Sequence, residues 1–184
     1  MTFATDIPDP EPQRLQPRIV VSDESESYGR FVIEPLAQGF GVTLGNALRR
    51  VLLNALPGTA ITSVRIDGVD HEYSTLKNVQ EDMIDFLLNV KGIRLKSISG
   101  NSGTLRLEVK GRSGVVTAGD IEPNGDVEIV NPEHPLLNMD NAKAKISVEF
   151  SYEAGVGFIP ADDRDSQVIG VLPVDAIFTP IKRS

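Results

Sequence analysis

The sequence predicts an α+β fold built mainly from antiparallel sheet, and two observations carry that expectation. Apolar residues recur at three- and four-residue steps in only two segments, both in the first half of the chain. Nearly everything else reads as short alternating or apolar runs split by Gly, Asn, Asp and Pro, without the strand-helix-strand alternation that builds a parallel sheet. Composition agrees: 40% of the 184 residues are apolar but only 5% are aromatic and Trp is absent, so the core rests on Val, Ile and Leu. A chain of this length buries on the order of 70% of its unfolded surface, enough for one ordinary domain or two small ones.

Taken in order, residues 1–17 carry Pro8, Pro10, Pro12 and Pro17 among acidic residues, poor material for a packed element and expected to form a flexible tail. "RIVVS" (18–22) and "GRFVIEPL" (29–36) flank a polar turn and read as two antiparallel strands, the second ending at Pro35. From Phe40 the period lengthens: Phe40, Leu44, Ala47, Leu48, Val51, Leu52 and Ala55 share one helical stripe, with Thr43 able to cap it and Pro57-Gly58 to stop it. A second helix is expected over Val79–Val90, capped by Asn78 or Thr75, with Glu81 and Asp82 at its positive end and Lys91-Gly92 closing it. The strands to follow are "AITSVRIDG", "IRLKSIS", "GTLRLEVKG", "SGVVTAGDI", "GDVEIVNP", "KAKISVEFSYEAG" and "QVIGVLPVDAIFTPI". No internal repeat is present.

Charge and composition exclude several functions. The formal net charge of -8 repels a phosphate backbone, which argues against nucleic-acid binding by this chain. Without Cys there is no disulfide, thiolate metal site or Cys nucleophile, and a reduced cytosolic setting is permitted. No apolar run approaches the roughly 18 residues of a membrane helix, and the N-terminal segment lacks the apolar stretch of a signal peptide. A soluble, cytoplasmic protein is the resulting expectation.

The stretch "GFGVTLGNALRR" (39–50) poses the sharpest chemical question. Gly39, Gly41 and Gly45 precede a helix, as in a dinucleotide-binding turn, so a nucleotide-binding enzyme using the Gly39–Gly45 turn is the alternative reading. The details run against it: Glu34-Pro35 interrupts the preceding strand, three residues separate Gly41 from Gly45, and Asp67 stands too far on to be the ribose acid. The structural reading is that Gly39 and Gly41 turn the chain into the helix while Gly45 and Ala47 admit another backbone, offsetting the roughly 1 kcal/mol that a helical Gly costs against Ala. Arg49 and Arg50 follow on the same helix, about 100° apart; one can pair locally while the other faces a partner. His71 in "HEYST" and His134 in "NPEHPLLNM" lie in no nucleophile pattern and read as hydrogen-bonded loop residues. The acidic groups Glu81, Asp82 and Asp85, and Asp162, Asp163 and Asp165, match no calcium loop, and neither a metal nor a cofactor is expected.

Longer motifs are more specific. "EPLAQGFGVTLGNALRRVLLNALPG", "ITSVRIDGVDHEYSTLKNVQEDMIDFLLNVKGI", "GDVEIVNPEHPLLNM" and "GVGFIPADDRDSQVIGVLPVDAIFTPI", in that order, closely resemble the N-terminal domain of the bacterial RNA polymerase alpha subunit family. The likeness runs from about residue 15 to the end. It implies a two-lobed fold, with residues 1–57 and 168–184 as a discontinuous dimerisation lobe and 58–167 as an inserted, β-rich lobe. It also implies a non-catalytic assembly subunit of DNA-directed RNA polymerase, which homodimerises and carries the beta and beta-prime subunits. Carried over residue by residue, Phe40, Leu44, Leu48, Val51 and Leu52 fall at dimerisation positions, Arg49, Arg50 and Leu53 at the beta-facing surface, and Lys91, Phe158 and Ile159 at positions associated with beta-prime. Family members continue past the position of Ser184 with a strand, a second dimerisation helix and a promoter-contacting domain. The expectation is therefore a truncated chain that binds no DNA and dimerises weakly, its first helix leaving an apolar stripe exposed.

Overall fold

The computed structural model describes residues 16–25, 27–164 and 168–184. The tail expected over residues 1–17 lies outside the described residues apart from Gln16 and Pro17. The chain divides between Leu48 and Arg49 into two compact units.

In the first unit, β1 (Arg18–Ser25) and β2 (Tyr28–Glu34) form the expected antiparallel hairpin, with Ile19 opposite Ile33 and Val21 opposite Phe31. The register shifts between Val21 and Asp23, and the hydroxyl of the extra residue, Ser22, donates to the Arg30 carbonyl at 3.1 Å. A helix, α1 (Phe40–Asn54), follows. It starts three residues before the expected cap: Gly39 adopts a φ of +86°, which turns the chain, and the Phe40 amide donates to the Ala37 carbonyl at 3.1 Å. Thr43 thus lies inside the helix and does not cap it.

The second unit carries β3 (Pro57–Ile66), α2 (Met83–Val90), β4 (Leu95–Ser97), β5 (Gly103–Lys110), β6 (Gly114–Thr117), β7 (Val127–Ile129), β8 (Pro135–Met139), β9 (Lys145–Val156), β10 (Phe158–Ile159), β11 (Val171–Pro173) and β12 (Ala176–Ile177). Six strands join in one sheet, in the order β5-β9-β3-β4-β7, with β11 also on β3; β6 pairs β8, and β10 pairs β12. Every strand pairing among the described residues is antiparallel. The α+β expectation is met, and the parallel sheet that a dinucleotide fold requires is not what these strands form.

Strand β9 explains why the sheet has a core face. Its sequence alternates, so Ile146, Val148, Phe150 and Tyr152 are buried while their neighbours are not. In β5, Val109, Leu107 and Leu105 stand opposite Ile146, Val148 and Phe150 and are buried with them. Met83, Phe86 and Val90 of α2 join the same cluster, with the Phe86 and Phe150 rings 6.5 Å apart and tilted by 37°.

Helix α2 begins four residues later than the sequence predicts. Val79 bridges to Met139, the Gln80 amide donates to the Asn138 carbonyl at 3.0 Å, and the Glu81 carboxylate accepts the Asn138 amide at 2.6 Å. These bonds hold 79–81 against β8 and out of the helix, so the cap is Asp82, whose carboxylate accepts the Asp85 amide at 2.8 Å. Neither Asn78 nor Thr75 caps the helix. Strand β8 is not among the expected strands; Pro135 occupies its first position, where no ladder amide is needed.

Phe150 is fully buried, with 0% of its surface exposed. Phe150→Ala is expected to lower unfolding free energy by about 3–5 kcal/mol, as measured by urea titration, through lost burial and a residual cavity.

Candidate functional site

Helix α1 has no buried residue. Phe40 is 62% and Val42 72% exposed, Leu48 and Val51 are exposed as well, and Leu44, Leu52 and Leu53 are half-buried. An isolated helix of this length is marginal in water, and helices in proteins are ordinarily held by packing an apolar face. Here the apolar positions are present but lie open. Val42, outside the stripe read from the sequence, is the most exposed of them.

Arg49 and Arg50 are both exposed, and neither makes a side-chain hydrogen bond or ion pair among the described residues. The local pairing open to one of the two is not made among the described residues. Leu53, expected beside them, is half-buried. Over Gly41 and Gly45 an added Cβ would meet nothing within 4 Å, so among the described residues no backbone makes the close approach expected at Gly45.

The other predicted positions lie around the C-terminal end of α2. Lys91 is the C-cap residue, and its ammonium donates to Asp175 Oδ2 at 2.7 Å. Asp175 Oδ1 accepts the Ala161 amide at 2.8 Å. Ala161 follows β10, in which Phe158 pairs with Ile177 and Ile159 with Ala176 of β12. Lys91 and the Phe158-Ile159 strand are thus joined through one carboxylate that the sequence reading missed. The signal available was slight: a lone acid between apolar residues in "PVDAIF". Phe158 is exposed, whereas Ile159 is half-buried and packs on Ala60, Ala176 and Phe178. The Lys91 ammonium, aided by the Ala161 amide, holds the Asp175 carboxyl below the usual carboxylate range.

The carbonyls that end α2 have no partners within the helix, and loop side chains supply them. Asn89 O accepts His134 Nε2–H at 2.8 Å, Gly92 O accepts Asn131 Nδ2–H at 3.1 Å, and Lys91 O accepts Arg94 Nη1–H at 3.3 Å. A carbonyl oxygen only accepts, so Nε2 of His134 carries a proton. His71 Nδ1 lies 3.2 Å from Ser74 Oγ on the surface. Both histidines are hydrogen-bonded loop residues, as expected. A cleft of about 310 Å³ between Leu105, Ile121, Val127 and Ile129 has Glu128 as its one charged lining side chain, and Glu128 is paired with Lys96 at 3.4 Å. That lining holds no acid-base pair.

Residues 64–179 match the model of the family described as RNA polymerase Rpb3/RpoA insert domain. The chain belongs to that family. Within this insert-domain family, proteins named DNA-directed RNA polymerase subunit alpha are similar to it over most of its length. The one from Dehalococcoides mccartyi strain CBDB1 is 52% identical over 167 residues, which is 91% of this chain and 50% of the relative. Those from Roseiflexus sp. strain RS-1 and Symbiobacterium thermophilum are 50% and 49% identical, covering 91% and 89% of this chain and 51% and 52% of the relatives. The chain spans about half the length of the curated relatives it matches. No helix among the described residues is long and apolar enough to cross a membrane.

The Lys91–Asp175 pair has a testable pH signature. Because the folded-state pKa of Asp175 is depressed, its contribution is complete above the unfolded value of about 3.9 and is lost as pH falls through the folded value. Asp175→Asn is expected to destabilise the fold at pH 7 by on the order of 1 kcal/mol or less for so exposed a pair, seen as a lower thermal midpoint. The difference from wild type should shrink as pH falls below about 3.9 and vanish once the wild-type carboxyl is protonated, as calorimetry in acid will show.

Proposed function

We propose that this chain is a non-catalytic assembly segment of a DNA-directed RNA polymerase alpha subunit. In this reading residues 1–57 with 168–184 form the lobe that pairs with a second copy, and 58–167 form the inserted lobe. The apolar positions Phe40, Leu44, Leu48, Val51 and Leu52 face the second copy. Arg49, Arg50 and Leu53 meet the beta subunit, and Phe158 and Ile159, with Lys91 behind them, meet beta-prime. The protein works in the cytoplasm, without a cofactor and without touching DNA itself.

The observation that carries this reading is the pairing of 52% identity to a named alpha subunit with a helix that buries none of its apolar residues. Exposed apolar side chains beside two unpaired arginines are what a protein-binding helix needs, since Arg and large apolar groups anchor interfaces. The match over 64–179 overlaps the inserted lobe and supports it. The net charge of -8 supports leaving DNA contacts elsewhere.

Arg50→Ala is expected to weaken capture of purified beta subunit by about 30-fold, the equivalent of roughly 2 kcal/mol for an interface anchor. Undiminished capture removes Arg50 from the interface. Calorimetric titration with NAD, NADP and ATP is expected to give no saturable heat at micromolar concentration, and such heat would defeat the scaffold reading as a full account.

A further inference from the structure

The end of α1 is held in an unusual way. The last carbonyls of any helix lack intrahelical partners and are ordinarily met by a C-terminal Gly turn or by nearby basic side chains. Helix α1 has neither: Ala55 follows Asn54, and no basic residue lies in its last turn. The partner comes instead from the far end of the sequence. Thr179 Oγ1 donates to the Leu52 carbonyl at 2.9 Å.

The direction of that hydroxyl is set by its surroundings. The Ile181 amide donates to Thr179 Oγ1 at 3.3 Å, occupying an oxygen lone pair and leaving the hydroxyl proton for Leu52. Thr179 is itself fixed in place. The preceding Phe178 is 3% exposed, packs with Ala60, Ala176 and Ile159, and its amide donates to the Gly157 carbonyl at 2.9 Å. Gly157, with a φ of +70°, runs close under Asn54, where an added Cβ would stand 3.0 Å from the Asn54 carbonyl oxygen. The last turn of α1 is therefore pinned to the β10–β12 pair by one hydroxyl and one close backbone approach. Arg49 and Arg50 lie three and two residues before the pinned carbonyl.

We infer that Thr179 is a positioning residue for the docking end of α1: its hydroxyl caps the Leu52 carbonyl and so sets where Arg49 and Arg50 point. The inference rests on the proposed docking of α1 to the beta subunit. With no buried side chain to hold the helix, loss of this bond frees the last turn to fray and spreads the guanidinium groups over many positions. Affinity for the partner then falls because those positions must be re-ordered on binding.

The test compares Thr179→Val, Thr179→Ser and Arg50→Ala with wild type for binding to purified beta subunit, with thermal melts run in parallel. Thr179→Val keeps the side-chain shape but orphans the carbonyl, and about tenfold weaker binding is expected. Thr179→Ser restores the hydroxyl and is expected to bind as wild type does. A purely structural role would lower the melting temperature of Thr179→Val and leave its affinity unchanged, which overturns the inference, as does Thr179→Ser binding as weakly as Thr179→Val. If Arg50→Ala weakens binding while Thr179→Val does not, the inference fails and the docking reading stands; if Arg50→Ala has no effect, Arg50 is removed from the interface and the inference, which rests on its placement there, fails with it. Should Thr179→Val not fold, hydrogen exchange on the wild-type chain decides. Amides of Val51–Ala55 exchanging as slowly as those of β3 support the pin, and exchange at the rate of a frayed helix end overturns it.

Discussion

Strand β9 has a neighbour on each edge and a strict period of two, and the second unit is organised around that pairing. With β5 on one side and β3 on the other, its backbone amides and carbonyls are spent within the sheet. Ile146, Val148, Phe150 and Tyr152 then have no choice of face. A slip of one residue would turn all four towards solvent, so the register of β5 and β3 follows from burial. Helix α2 has to lie where Met83, Phe86 and Val90 meet that face, and its C-terminal carbonyls end up beside the loop that carries Asn131 and His134.

Helix α1 follows the opposite logic. It has the apolar spacing of a core helix but contributes nothing to a core. Its C-terminal turn, Arg49–Asn54, is met by a hydroxyl and a close backbone approach that leave its side chains uncovered. Such an arrangement leaves both the apolar positions and the arginine pair available at once. An assembly segment needs this combination, since a single element can then meet more than one chain.

Legibility in the sequence tracked the distance over which each interaction acts. The β1–β2 hairpin, β5, β9 and α1 could be read because their determinants are local: alternation, a helical period, and Gly39 or Pro35 as punctuation. The start of α2 could not, because the group that keeps Glu81 out of the helix is the amide of Asn138, 57 residues away. Strand β8 was hidden by prolines that look disruptive until one of them is seen at the strand's first position. At the candidate site, the exposure of Arg49 and Arg50 was within reach of the residue types alone, and Lys91 was reached through resemblance. Its partner Asp175 was not found, since nothing local marks a carboxylate whose cation is 84 residues distant. Thr179, 127 residues from Leu52, is the extreme case.

Strands β3 and β9 lie far apart in the chain, with Pro57 opposite Val156 and Ile66 opposite Val148. During synthesis β3 emerges before any of its sheet neighbours, because β4, β9 and β11 all come later. Sheets closed by such remote contacts form slowly, and their unpaired edges are prone to associate wrongly while they wait. The central sheet is thus completed only after Pro173 of β11 has left the exit tunnel. Any partner that recognises the finished sheet meets a chain in which everything from β3 to β11 has already been made.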